Sequence, residues 1–207
     1  MTCHSKLLTR STLLLALASP FAVQAQAVDS PWLVRVRAVN LDSANKDSTG
    51  LGLSINDKVL PEIDFSYFVT PQFAVELILT YPQKQKIRSN GVEIGTLKHL
   101  PPTLTAQYHF TDFGAFKPYV GAGVNYTRFS NVNFNPAVAA ALQPSVDKNS
   151  WGFALQAGMD YEVSKNLYVN FDVKKVQIRT DVSSFGTKVG EFRVDPWLIG
   201  LGIGRRF

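Results

Sequence analysis

Apolar and polar residues alternate with period two in eight separate stretches, each eight to twelve residues long. In "QFAVELILTY", Phe73, Val75, Leu77, Leu79 and Tyr81 share one face, while Ala74, Glu76, Ile78 and Thr80 share the other. Successive strand side chains point to opposite sides, so this pattern predicts a strand with one fully apolar face. "WLVRVRAVN", "PEIDFSYFV", "TLTAQYHF", "PYVGAGVNY", "WGFALQAGMDY", "NLYVNFDVK" and "PWLIGLGIGRRF" read the same way. Eight amphipathic strands allow a soluble barrel with its apolar face inward, or a membrane barrel with that face toward lipid.

The strand ends separate these two. Trp197 and Phe207 lie ten residues apart on one face, as do Trp151 and Tyr161. A tilted strand of that length spans roughly 25 Å, the height of an outer-membrane apolar band. Aromatic residues at both rims, here Trp32, Phe73, Tyr81, Tyr126, Trp151, Tyr161 and Trp197, form a lipid-interface girdle. The connections alternate strictly between short ("TPQ", "TDFGAF", "VSKN") and long (41–60, 82–99, 127–150, 177–192). The expected fold is therefore an all-β, eight-stranded antiparallel up-and-down transmembrane β-barrel. It has short periplasmic turns, four long extracellular loops and both termini in the periplasm.

Composition narrows the picture further. The 207 residues, 45% hydrophobic and 18% charged, suit one folded domain and exclude disorder. Lys6 and Arg10 precede an apolar stretch, a Pro20 break and small residues at Val23 and Ala25, the order of a secretory signal peptide. Cleavage is expected after Ala25, with Ala27 as the alternative, so that residues 1–25 are leader and 26–207 barrel. The leader carries Cys3, the single cysteine, which leaves no thiol for a disulfide, zinc site or nucleophile. It also takes two of the 21 basic residues, so 19 remain against 16 acidic, a near-neutral balance that gives no basis for nucleic-acid binding. No apolar run reaches the length of a transmembrane helix.

Five stretches, "WLVRVRAVNL", "HLPPTLTAQYHF", "KPYVGAGVNYTRF", "NSWGFALQAGMDY" and "DPWLIGLGIGRRF", resemble the outer-membrane protein W family, in order and over nearly the whole chain after the leader. The resemblance implies a monomeric eight-stranded barrel that lets small hydrophobic molecules enter through the outer membrane, in contact with its lipids. The terminal aromatic Phe207, with Ile203 on the same face, resembles the signal read by the outer-membrane assembly machinery.

An eight-stranded barrel is just wide enough for side chains to fill, so any passage must be a partial cavity. With the strands oriented by the termini, Arg35, Glu76, His109, Asp160 and Arg206 fall in the lower lumen and are expected to form a charged plug that closes the periplasmic end. Lumen ion pairs are also what any small barrel needs to fill its interior. Val39, Ile78, Pro101 and Leu198 lie above them as the wall of a hydrophobic funnel, and Pro136 to Leu142 is expected to form a short helix over it. A solute blocked by the plug leaves sideways into the bilayer. The sequence holds no G-x-S-x-G, no H-E-x-x-H and no dinucleotide loop, so neither enzyme activity nor a metal or cofactor is expected. The rival reading is a closed barrel whose outer loops act as an adhesion, phage or bacteriocin receptor surface.

Overall fold

A computed structural model describes residues 31–207; the expected leader and its cleavage sites lie outside the described residues. Eight strands build the barrel: β1 (Trp32–Asp42), β2 (Lys58–Phe68), β3 (Phe73–Thr80), β4 (Thr103–His109), β5 (Phe116–Phe134), β6 (Asn149–Ser164), β7 (Leu167–Val176) and β8 (Trp197–Arg206). Each pairs antiparallel with the next, and β8 closes on β1 from Leu33↔Arg206 to Asp42↔Trp197. Closure leaves no strand edge unpaired around the ring, as a sheet in hydrocarbon requires.

The pleat turns the two faces as the alternation dictates, with the usual arrangement of a soluble protein inverted. Charged Arg35, Asp64, Glu76 and Asp172 are buried inside, whereas Leu155, Leu201 and Ile203 on the outer face are each 62% exposed. An apolar surface this continuous calls for a lipid surround rather than water. Trp32, Phe73, Tyr161 and Phe207 ring the end that carries the short turns; Tyr81, Tyr126, Trp151 and Trp197 ring the other. The rings are laced together. Trp32 packs edge-on against Tyr67 with centroids 5.0 Å apart, and Tyr126, whose hydroxyl donates to Asn149, packs on Trp151 at 4.8 Å.

The turn end is tight. In the first turn the Thr70 hydroxyl accepts from the Gln72 and Phe73 amides, and in the last Asn166 takes the left-handed conformation beside a bulge at the end of β6. At the loop end, the long connections are themselves largely β-structure. The hairpin Gln83–Ser89/Val92–Leu100 prolongs β3 and β4 upward and pairs with the upper half of β5. A second hairpin, Arg179–Ser184/Thr187–Arg193, joins Pro144–Val146 and Lys46–Asp47 in a separate four-stranded sheet. Helix α1 (Pro136–Leu142) coincides with the expected Ala-rich helix and buries none of its residues. These walls enclose an apolar core above the barrel, with Leu53, Ile87, Leu97, Phe129, Val182 and Phe192 at its centre.

Candidate functional site: the barrel interior

The interior is layered. At the turn end Leu33, Phe68, Ala74 and Tyr168 make a small apolar cluster, and the Arg206 guanidinium lies over the Phe68 ring at 4.2 Å. His109 sits at this level, stacked on Tyr119 at 4.9 Å, with its Nε2 3.0 Å from Gln107 Oε1.

Above it lies the charged layer. Arg35 grips Asp160 through two nitrogens, at 3.0 and 2.6 Å, and its third reaches Asp64, Ser66 and Glu76. Arg37 meets Glu62, Asp64, Glu76 and Asp172 at 3.0 to 3.3 Å. Lys174 bridges Glu62 at 2.5 Å and Asp172 at 3.1 Å. Neutral side chains complete the shell: Gln107 and Thr105 donate to Glu76, while Tyr119 and Gln156 donate to Asp172. Three cations therefore face five carboxylates, with all eight side chains at most 4% exposed. Charges buried this deeply persist only when paired and hydrogen-bonded.

Glycines make room for this layer. On β8, Gly204, Gly202 and Gly200 stand opposite Arg35, Arg37 and Val39. A Cβ on Gly202 would lie 2.2 Å from the Val36 carbonyl and 2.8 Å from Arg37 Cγ. The arginine stems thus run across a strand that has no side chains in their way.

Of the expected plug residues, Arg35, Glu76 and Asp160 meet in one network. His109 meets its shell through Gln107 and through the ring of Tyr119, and Arg206 belongs to the cluster beneath. The layer stands in the turn-end half of the lumen but not at its rim: Arg35 and Arg37 are the fourth and sixth residues of β1, with an apolar layer below them. Arg37, Glu62, Asp64 and Asp172 were not among the expected plug residues, although the same alternation places them inward: Arg37 is two positions from Arg35, Glu62 and Asp64 are two apart, and Asp172 is two from Lys174. Lys174 is neutralised by Glu62 and Asp172.

The chemistry changes above Glu62 and Lys174. Ile78, Pro101 and Leu198 line a cavity of about 20 Å³ together with Leu41 and Leu60, and Val39 packs beside them. Higher still, a cavity of about 60 Å³ has a carbon lining that includes Leu53, Ile87, Leu97, Phe134, Val182 and Phe192. Val138 and Leu142 of α1 border it. Three of the expected funnel residues, Ile78, Pro101 and Leu198, share the lower cavity, whose lining also includes Glu62, Thr103, Asn125 and Lys174. The upper cavity is built from the connections, whose strands carry too little strict alternation to stand out in the sequence.

The wall has a seam at this height. The β2–β3 ladder ends at Glu62↔Thr80, and pairing resumes only at Ile55↔Ile87. No ladder joins Lys58–Pro61 to Tyr81–Lys86 among the described residues. Side chains take the place of backbone partners there: the Thr80 hydroxyl donates to the Pro61 carbonyl, Gln83 to the Tyr81 carbonyl, and the Lys86 amide donates to Asn56. Pro61 itself has no N–H to offer a neighbour.

Comparison with known proteins agrees with this architecture. The OmpW family model matches residues 31–207. The outer-membrane protein y4mB of Sinorhizobium fredii is 45% identical over 188 residues, which is 86% of this chain and 80% of that one. The dibenzothiophene metabolism operon protein PahQ of Pseudomonas aeruginosa is 30% identical, with 94% of this chain and 95% of PahQ covered. The solution structure of the Escherichia coli outer membrane protein W superposes with a TM-score of 0.65 at 32% identity, covering 86% of this chain and 98% of that chain. Ile203 and Phe207 point outward, and the Phe207 amide donates to the Trp32 carbonyl at 3.0 Å.

Proposed function

Since the chain belongs to the OmpW family of outer-membrane β-barrels, we propose that it assists passive entry of small apolar molecules through the outer membrane, with the turn end facing the periplasm and the loop end outside. The observation that carries this reading is the carbon-lined cavity in the loop end, above a buried charged layer. An apolar molecule gains free energy by leaving water for such a lining, in proportion to the area it buries. It cannot continue downward, because it would have to displace paired charges that nothing apolar can replace. The seam between Lys58–Pro61 and Tyr81–Lys86 is the exit: it opens toward lipid, and parting it breaks side-chain contacts rather than a ladder. The relative PahQ supports this reading, since dibenzothiophene is a small apolar aromatic. Ile203 and Phe207 serve the assembly machinery on the lipid face, away from this route.

The test is entry of an apolar fluorescent probe, N-phenyl-1-naphthylamine, into cells with an intact outer membrane. Cells making the wild type are compared with cells making an Ile78→Lys, Leu198→Lys variant. Two ammonium groups in the lower cavity are expected to slow protein-dependent entry about tenfold, a barrier increase of about 1.4 kcal/mol, while the folded barrel still resists heat in detergent. Entry that is equal with and without the protein would sink the proposal. The exposed loop surface, helix α1 included, would then be the place to seek a receptor role.

A further inference from the structure

A second group of buried polar side chains sits in the hairpin wall, above the charged layer. Gln83 and Gln85 are 0% exposed and His99 is 1% exposed. Gln83 stands directly across the ladder from His99, and Gln85 is two residues further along the same face. That face continues into Ile87 and Leu97, which line the upper cavity, while the flanking Thr80 and Pro101 line the lower one. The three side chains therefore lie between the two cavities, next to the seam.

Their hydrogen bonding is incomplete. The Gln83 amide is oriented by its Nε2, which donates to Thr80 Oγ1 at 3.1 Å and to the Tyr81 carbonyl at 2.9 Å. Five polar atoms have no partner among the described residues: Gln83 Oε1, both amide atoms of Gln85, and both ring nitrogens of His99. Polar atoms this deep are almost always paired in folded proteins. His99 is neutral, because burial, reinforced by the charge of Lys58, lowers its pKa to about 4. One of its nitrogens then donates and the other accepts. Phe129 meets it edge-on at 6.4 Å.

The mixture of unmet donors and acceptors defines the ligand chemistry. A hydroxyl group carries one donor and two lone pairs, so it can answer an amide oxygen and an N–H at once. A hydrocarbon answers neither. A carboxylate only accepts, which leaves both amide oxygens unmet and buries a charge beside three neutral groups.

We infer that Gln83, Gln85 and His99 form a selection point in the apolar passage, which takes small molecules with an apolar body and one hydroxyl group, alcohols or phenols, in preference to the parent hydrocarbon. The inference rests on the proposed entry route and specifies its cargo.

The test is a titration of the protein in lipid nanodiscs with 1-octanol, octane and octanoate, each at the same mole fraction in the lipid. The ring ¹⁵N signals of His99 report on the selection point, His109 serves as the reference, and the methyl signals of Ile87 and Leu97 report on the cavity. The expected result is that 1-octanol and octane both move the methyl signals, while only 1-octanol moves the His99 nitrogens. Gln85→Leu removes two of the five unpaired atoms at nearly constant volume. It is expected to lower the octanol-to-octane affinity ratio about tenfold, the value of one hydrogen bond to a buried group. Methyl signals that respond to both probes with silent His99 nitrogens would overturn the inference and leave the entry route standing. A stronger response to octanoate than to 1-octanol would overturn it in favour of an acid. Methyl signals that ignore every probe would remove the entry route, and the selection point with it. The comparison of probes on the wild type decides the matter even if the variant does not fold.

Discussion

Replacing Arg35 by alanine is expected to lower the unfolding free energy of the barrel by about 3–5 kcal/mol, the cost of breaking a buried ion network from one side. The guanidinium serves Asp160, Asp64 and Glu76 at once, and it touches strands β2, β3 and β6 from β1. Its loss leaves two cations against five carboxylates in a layer sealed by protein on every side. Urea unfolding in phospholipid vesicles, followed by tryptophan fluorescence, measures the effect, since Trp32, Trp151 and Trp197 all sit in the outer rings. Arg205, exposed on the outer face near Phe207, is the control; its alanine variant is expected to stay within about 0.5 kcal/mol of wild type. Equal losses from the two arginines would mean that the layer merely fills space.

The second large effect is expected at Gly202. Glycine weakens a strand by its entropy and its lack of a side chain to pack, so by propensity alone valine at this position would stabilise the barrel. Geometry predicts the opposite sign. A Cβ there meets the Val36 carbonyl at 2.2 Å and Arg37 Cα at 2.9 Å, so either the β1–β8 ladder parts or Arg37 leaves its four carboxylates. Gly202→Val is expected to cost about 1–3 kcal/mol or more, as overpacking does. Gly200→Ala, whose nearest neighbours are side-chain atoms at 3.2 and 3.4 Å, is expected to cost less than about 1 kcal/mol. A stabilising Gly202→Val would show that the glycine row serves strand curvature and not the arginines.

The barrel was legible because a strand that faces lipid on one side and a packed lumen on the other must alternate, and "QFAVELILTY" and "WGFALQAGMDY" do so without interruption. The aromatic rings were legible for a related reason: interface residues must recur at the membrane's thickness. The upper hairpins were not. "QKQKIRS" places Gln83, Gln85 and Ile87 inward and Lys84, Lys86 and Arg88 outward, so both faces are largely polar and the period carries no contrast. Of the interior, the alternation gave the inward face but not the partners. Arg37 and Asp64 lie on it as plainly as Arg35 does, yet which charges meet depends on the stagger between strands. The expected funnel residues Ile78, Pro101 and Leu198 do come together, whereas the wider cavity draws on Leu53, Ile87 and Val182, which the chain brings from three separate connections.

On the proposed entry route, the height of the seam bears on which barrier the protein would remove. Lys58 pairs with Leu41, whose other neighbour Leu198 adjoins Trp197 of the upper ring, so the gap opens at the level of the lipid headgroups rather than at mid-membrane. A molecule discharged there has not been carried across hydrocarbon, which an apolar molecule enters readily by itself. It has been carried past the hydrated sugars and bound cations that coat an outer membrane's external leaflet. The advantage conferred by the protein would therefore scale with the thickness of that coat, and it would fade in a bilayer made of phospholipid alone.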